Sequence, residues 1–162
     1  MTKPLPIPEG YATVTPWVVS SDTRRLLEFI KQAFDAEELG RVEVEGGAIG
    51  HAEARIGDSI IMMFDSPFPL ATPGLLRLYV EDGDAVFRRA VAAGATPVTQ
   101  LTELAWGDRI GRVRDPLGNI WWIQERVEEP TPEEVTRRLQ DPKFTEAMQY
   151  VQSTLADALD AS

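Results

Sequence analysis

The stretch Trp106-Gly107-Asp108-Arg109-Ile110-Gly111-Arg112-Val113-Arg114-Asp115-Pro116-Leu117-Gly118-Asn119-Ile120-Trp121-Trp122-Ile123-Gln124-Glu125 decides the fold. It reads as two strands folded back on each other through Asp115-Pro116-Leu117-Gly118. Pro116 fixes φ at the first corner of the turn, and Gly118 supplies the positive φ that closes it. Beyond the turn, Ile120 to Ile123 is too apolar for a strand wet on one face. Both of its faces are therefore covered, or one of them lines a cavity.

Working outward, Leu75 to Val80 reads as a strand and Pro97 to Leu101 as a strand or extended edge. Between them lies a helix carrying Val86, Phe87, Ala90, Val91 and Ala93, with Asp82 or Asp84 able to cap it and Gly94 to stop it. The same order occurs earlier in the chain. Tyr11 to Val19 is a β-rich run, and Asp22 or Ser21 can cap a helix with Leu26, Leu27, Phe29, Ile30, Ala33 and Phe34 at helical spacing. Leu39 to Val44, a Gly46-Gly47 turn, Ile49 to Ile56, a Gly57-Asp58 turn and Ile60 to Phe64 follow. The two halves, 11–65 and 75–126, form an internal βαβββ repeat across a domain of residues 11–126, joined by a proline-rich linker at 66–74. The proline-rich residues 1–10 lie on the surface or are disordered.

A helical extension at 131–160 completes the chain. Thr131-Pro132-Glu133-Glu134 is a capping box with proline at the first helical position. Asp141-Pro142 restarts a helix whose apolar stripe is Phe144, Met148, Val151, Leu155 and Leu159. The stripe must pack on something: the body of the same chain, which is the favoured reading, or a partner. From residue 128 onward eight acids face three bases.

Composition excludes several classes. A net charge of −10 with no basic cluster argues against nucleic acid and anionic membranes as partners. Without cysteine there is no disulfide, thiolate ligand or cysteine nucleophile. No apolar stretch has the length of a signal peptide core or a membrane span, so a cytoplasmic location is expected. No glycine-rich phosphate loop is present, and Ser20, Ser21 and Ser59 lie in turns without a histidine and acid in reach.

A set of elements recurs in a fixed order: Thr15-Pro16-Trp17-Val18-Val19, Glu28-Phe29, Gly50-His51-Ala52-Glu53, Gly57-Asp58-Ser59-Ile60-Ile61-Met62-Met63, Tyr79-Val80-Glu81-Asp82, Ala90-Val91-Ala92-Ala93-Gly94-Ala95, Trp106-Gly107-Asp108-Arg109 and Asp115-Pro116-Leu117-Gly118-Asn119. Together, over about residues 11–126, they resemble the glyoxalase, bleomycin-resistance and extradiol dioxygenase (vicinal oxygen chelate) superfamily. The resemblance implies an α+β fold of tandem βαβββ modules forming a cupped mixed sheet with helices outside. It also implies a site in the cup, often completed by a second subunit, and hence a homodimer. In the family's metal-using members, four inward side chains hold the ion. Carried over, those places are Thr15, about Met62 (Ile61 or Met63 if the register slips), Leu75 and Trp122. None is a carboxylate or imidazole, so no metal or other cofactor is expected.

Strand alternation extends the lining to Trp17, Val19, Ile60, Phe64, Arg77, Tyr79, Ile120 and Gln124. Aromatic and apolar walls with few polar groups suit a flat or bulky organic ligand, as in the superfamily's metal-free drug-sequestering members. The same residues could equally be a collapsed core. The candidate ligand-binding set is Trp17, His51, Met62, Phe64, Arg77, Tyr79, Trp106 and Trp122. His51, with Glu53 on the same strand face, is either an acid–base pair or a strand histidine bonded to a neighbour. Arg77, if inward, needs an internal acid such as Glu53 or the anionic group of a ligand. Arg109 steers an anion or pairs with Asp108 or Glu103, with Trp106 as lid or dimer contact. The expected function is metal-free binding of a small organic molecule, such as drug or metabolite sequestration. The alternative is a lyase, isomerase or dioxygenase of the same superfamily that uses His51 and Glu53 or a metal. A third possibility is a partner docking on the acidic C-terminal helices.

Overall fold

The computed structural model describes residues 6–68 and 73–160. Residues 1–5 of the leader and 69–72 of the linker lie outside them. The chain divides into two compact units, 1–71 and 72–162. Among the described residues no helix is long and apolar enough to cross a membrane.

The first unit runs β1 (Trp17–Ser20), α1 (Thr23–Phe34), β2 (Glu37–Glu43), β3 (Ile49–Ile56) and β4 (Ser59–Asp65). Its strand order is β1-β4-β3-β2, with β1 parallel to β4 and the other pairs antiparallel. Asp22 caps α1, accepting from the Arg25 N–H at 3.0 Å. Leu26, Leu27, Ile30 and Ala33 are fully buried, which is what their spacing predicts for a helix lying on a sheet. The expected strand from Tyr11 is much shorter, beginning only at Trp17. Pro16 has no N–H to give, and the first bond to β4 is accepted by its carbonyl from Met62. Before it, Val14 is 80% exposed and no ladder forms.

The second unit repeats the order: β5 (Leu75–Tyr79), α2 (Gly83–Ala92), β6 (Thr96–Glu103), β7 (Asp108–Arg114) and β8 (Ile120–Arg126), with strand order β5-β8-β7-β6. Asp82, rather than Asp84, caps α2. β6 extends two residues beyond the expected Leu101. The β7–β8 turn closes with Gly118 at φ 97° and the Gly118 N–H donating to the Asp115 carbonyl at 3.0 Å. Asp115, only 3% exposed, is the hub of that turn. Its carboxylate accepts from the backbone N–H groups of Leu117 and Asn119, the Asn119 side-chain amide and the Trp121 indole N–H.

Two helices follow, the short α3 (Pro132–Arg138) and the 19-residue α4 (Pro142–Asp160). Thr131 caps α3 as its sequence indicates. The face on which α4 lies follows from alternation along β7. A side chain at Gly111 would meet the Phe87 ring at 3.1 Å, so Gly111 and Val113 face α2. Ile110, Arg112 and Arg114 point the other way, and all three meet α4. Val151 buries itself against Leu104 and Ile110, with Ala147 and Trp122 alongside. The Tyr150 hydroxyl accepts from the Gln100 N–H, and Thr154 shares a hydrogen bond with Thr99. The apolar stripe thus packs on its own chain. Only Phe144 and Val151 are buried, and Leu159 is left 38% exposed.

Candidate functional site

In the first unit, ladder register puts Trp17, Met62 and Glu53 side by side, with Val19 and Phe64 next along. This is the face turned away from α1. Ile61 and Met63, the alternatives to Met62, are buried on the helix side at 4% and 0% exposure. The Trp17 ring, half exposed, meets His51 edge-on at 5.3 Å and Phe64 at 5.6 Å. His51 Nε2 lies 2.8 Å from Glu53 Oε1, and the Tyr11 hydroxyl donates to Glu53 Oε2.

These contacts order the chemistry of the face. The Tyr11 hydroxyl, and after it His51, hold the Glu53 carboxyl below its ordinary range. The same bond pushes the Tyr11 phenol up. An ionised carboxylate only accepts, so His51 donates from Nε2, and in the neutral imidazole Nδ1 carries the lone pair. Among the described residues Nδ1 has no hydrogen-bond partner, so it is available as an acceptor or base. Tyr11 was legible only as part of a β-rich run. Its reach to Glu53, 42 residues away, leaves no local signal.

In the second unit Leu75, Arg77 and Tyr79 pair with Ile120, Trp122 and Gln124 and share the face opposite α2. The expected alternation is therefore present, but the lining is not uniformly open. Ile120 and Gln124 are buried at 0% and 4% exposure, and α4 covers the β6–β7 half of the face. Leu75, Arg77 and Tyr79 remain exposed and Trp122 half-buried. Leu75, Leu76, Arg77 and Trp122 line an open hollow of about 350 Å³. Among the described residues no carboxylate pairs with Arg77, and Glu53 is engaged by Tyr11 and His51 instead.

One further candidate, Arg109, is placed differently from expectation. Arg109 pairs with neither Asp108 nor Glu103. It lies on the α2 side and binds Asp84 at 2.9 Å and Glu125 at 3.0 Å, because alternation turns it away from Asp108. Asp108 instead accepts from Gln124, and Glu103 from Lys143 of α4. Trp106 sits in the β6–β7 turn, 38% exposed, without a ring contact to the other candidates among the described residues.

Thr15, Met62, Leu75 and Trp122, the places carried over from the resemblance, hold a hydroxyl, a thioether, an isobutyl and an indole. This donor set does not fit a hard divalent ion. Among the described residues no three His, Cys, Asp or Glu side chains gather to replace it.

A sequence model described as the Glyoxalase/Bleomycin resistance protein/Dioxygenase superfamily matches residues 11–123. An uncharacterized protein of Mycobacterium bovis is 39% identical over 134 residues, 75% of this chain and 88% of that protein. Among solved structures, TioX from Micromonospora sp. ML1 is similar at 27% identity and a TM-score of 0.59, over 74% of this chain and 100% of its own. The genomically encoded fosfomycin resistance protein FosX from Listeria monocytogenes shares the fold, with a TM-score of 0.58 at 14% identity, over 76% of this chain and 97% of its own. With a family match running through both units, each already a βαβββ module, the chain belongs to the glyoxalase/bleomycin resistance protein/dioxygenase superfamily.

Proposed function

We propose that this protein binds a small organic molecule on the open sheet faces of its modules, without a divalent ion at the four ligand places. In this reading it acts by holding a drug or metabolite, as a homodimer in the cytoplasm. The observation that carries the reading is the set of side chains sharing those faces. Met62, Leu75 and Trp122 offer no hard donor, while Trp17, Phe64, Arg77 and Tyr79 stand beside them on the same faces. Half-exposed aromatic rings give flat ligands a large contact area at little cost in ordering. FosX, which shares the fold, is by title a fosfomycin resistance protein, which agrees with drug resistance as one setting.

Tryptophan fluorescence quenching by a panel of aromatic and polycyclic compounds tests this directly. At least one class is expected to bind, and Trp17→Ala or Trp122→Ala to weaken it about tenfold or more, as loss of an aromatic anchor does. No binding across the panel, or binding indifferent to both substitutions, overturns the proposal.

A second reading has one specific observation in its favour. Glu53 takes a hydrogen bond from Tyr11 on one oxygen and from His51 on the other, leaving Nδ1 of the imidazole as a base. A lyase, isomerase or dioxygenase reaction using this group should be lost in His51→Gln while ligand binding persists. Equal turnover in that variant removes His51 as the base.

A further inference from the structure

Arg77, Trp122 and Arg112 stand in one row across three adjacent strands of the second unit. β5 pairs Arg77 with Trp122, and β7 pairs Arg112 with the same residue. Neighbouring strands lie about 4.8 Å apart, so the three side chains rise together from one face. The Arg112 guanidinium sits over the Trp122 ring, 4.4 Å from its centroid. Arg112 is only 4% exposed, yet its hydrogen-bond partners are neutral: the Thr99 hydroxyl at 3.1 Å and the Val151 carbonyl at 2.7 Å. Its Nε is buried without a partner. Burial, and after it repulsion from Arg77, lower its pKa to about 10, so at neutral pH it stays a cation.

No carboxylate answers either charge among the described residues, in a chain with 26 acids against 16 bases. Several other arginines are matched: Arg41 with Glu38, Arg109 with Asp84 and Glu125, Arg138 with Glu128 and Glu134. Two guanidiniums on one face, one of them buried, are unfavourable for the free protein unless a counter-charge arrives. The place for it is the hollow lined by Leu75, Leu76, Arg77 and Trp122. A guanidinium fork is built for oxyanions, and the indole beside it for a flat ring.

We infer that this hollow takes an organic oxyanion, a carboxylate or phosphate carried on a flat apolar ring, with Arg77 holding the oxyanion and Trp122 stacking the ring. Buried Arg112 adds positive potential from beneath the indole, and Leu75 flanks the apolar part. The inference rests on the binding function proposed above and names the ligand class.

The test is a titration of the full chain with 2-naphthoate, 2-naphthyl phosphate and neutral 2-naphthamide, followed by fluorescence quenching and calorimetry. One or both anions are expected to bind at least about tenfold tighter than the amide. Which anion does so separates carboxylate from phosphate recognition. Arg77→Gln, at an exposed position and checked for folding by circular dichroism, should bring the anions down to the level of the amide. Arg77→Lys should restore part of the difference, since it keeps the charge and loses the fork. Equal binding of anion and amide, or a preference that survives Arg77→Gln, overturns the inference and leaves small-molecule binding intact. Failure of all three probes while the broader panel yields ligands does the same. Silence across the whole panel ends both.

Discussion

Asp115→Ala is expected to destabilise the chain by about 4 kcal/mol, a large part of the stability of a typical domain. The carboxylate takes four hydrogen bonds at 2.8–3.0 Å, from Leu117 N–H, Asn119 N–H, Asn119 Nδ2 and Trp121 Nε1. Asn119 is 3% exposed and Trp121 fully buried, so three of these donors would lose this acceptor inside the protein. Each such donor costs about 1–3 kcal/mol, while the Leu117 N–H, nearer the surface, is rehydrated more cheaply. Asp115→Asn keeps one acceptor oxygen but turns an amide toward the remaining donors, and should cost about half as much. Urea unfolding decides it: the midpoint should fall at unchanged slope. A loss below about 1 kcal/mol for the alanine variant would show that the turn holds without its hub. Trp121→Phe, which deletes one donor and keeps the apolar ring, should couple to Asp115→Ala in a double-mutant cycle.

Removing α4 by ending the chain after Gln140 should be the other severe change. Phe144 and Val151 are 8% and 3% exposed, and burying side chains of this size contributes about 1.5–3 kcal/mol each. Their loss also uncovers Leu104 and Ile110, at 1% and 5% exposure, and deprives Arg112 Nη1 of the Val151 carbonyl. Expected together is a loss of about 5 kcal/mol or more, which for a chain of this length lowers Tm by more than about 10 °C. A truncated chain that melts at the full-length temperature would show that α4 is a passive appendage, and with it would fall the account of why a cationic Arg112 is tolerated beneath Trp122. Because α4 covers the β6–β7 half of the face only, the hollow beside Arg77 remains reachable in the full chain.

The parts of the site that could be read in advance are those fixed by parity. Once Leu75 and Trp122 are set on one face, Arg77 and Tyr79 follow, and the ladder registers agree residue by residue. The same step places Trp17, Met62 and Phe64 together in the first unit. His51 and Glu53, two apart on one strand, share a face for the same reason, and they meet at 2.8 Å. What parity does not supply is what stands over a face. Ile120 and Gln124 belong to the second face as expected, yet both are buried. Arg112 gave a weak signal at most, as one of three arginines in β7, on the same face as Ile110.

By itself the sequence determined the order of the twelve elements among the described residues, the duplication of the βαβββ module and the facing of the strand residues, while the start of β1 lay six residues from its expected place. These are local properties: a cap and its bond partner lie three residues apart, a turn needs its own glycine, and side chains alternate with period two. Only the tertiary structure decided that Tyr11 reaches Glu53, that Arg109 turns to Asp84 and Glu125, and that α4 lies over Ile110 and Arg112. An amphipathic stripe states that a helix has a face to bury and leaves open what it is buried against. That choice is made by which apolar surface elsewhere in the chain is uncovered, and hydrogen bonds spanning about forty residues form only after it is made.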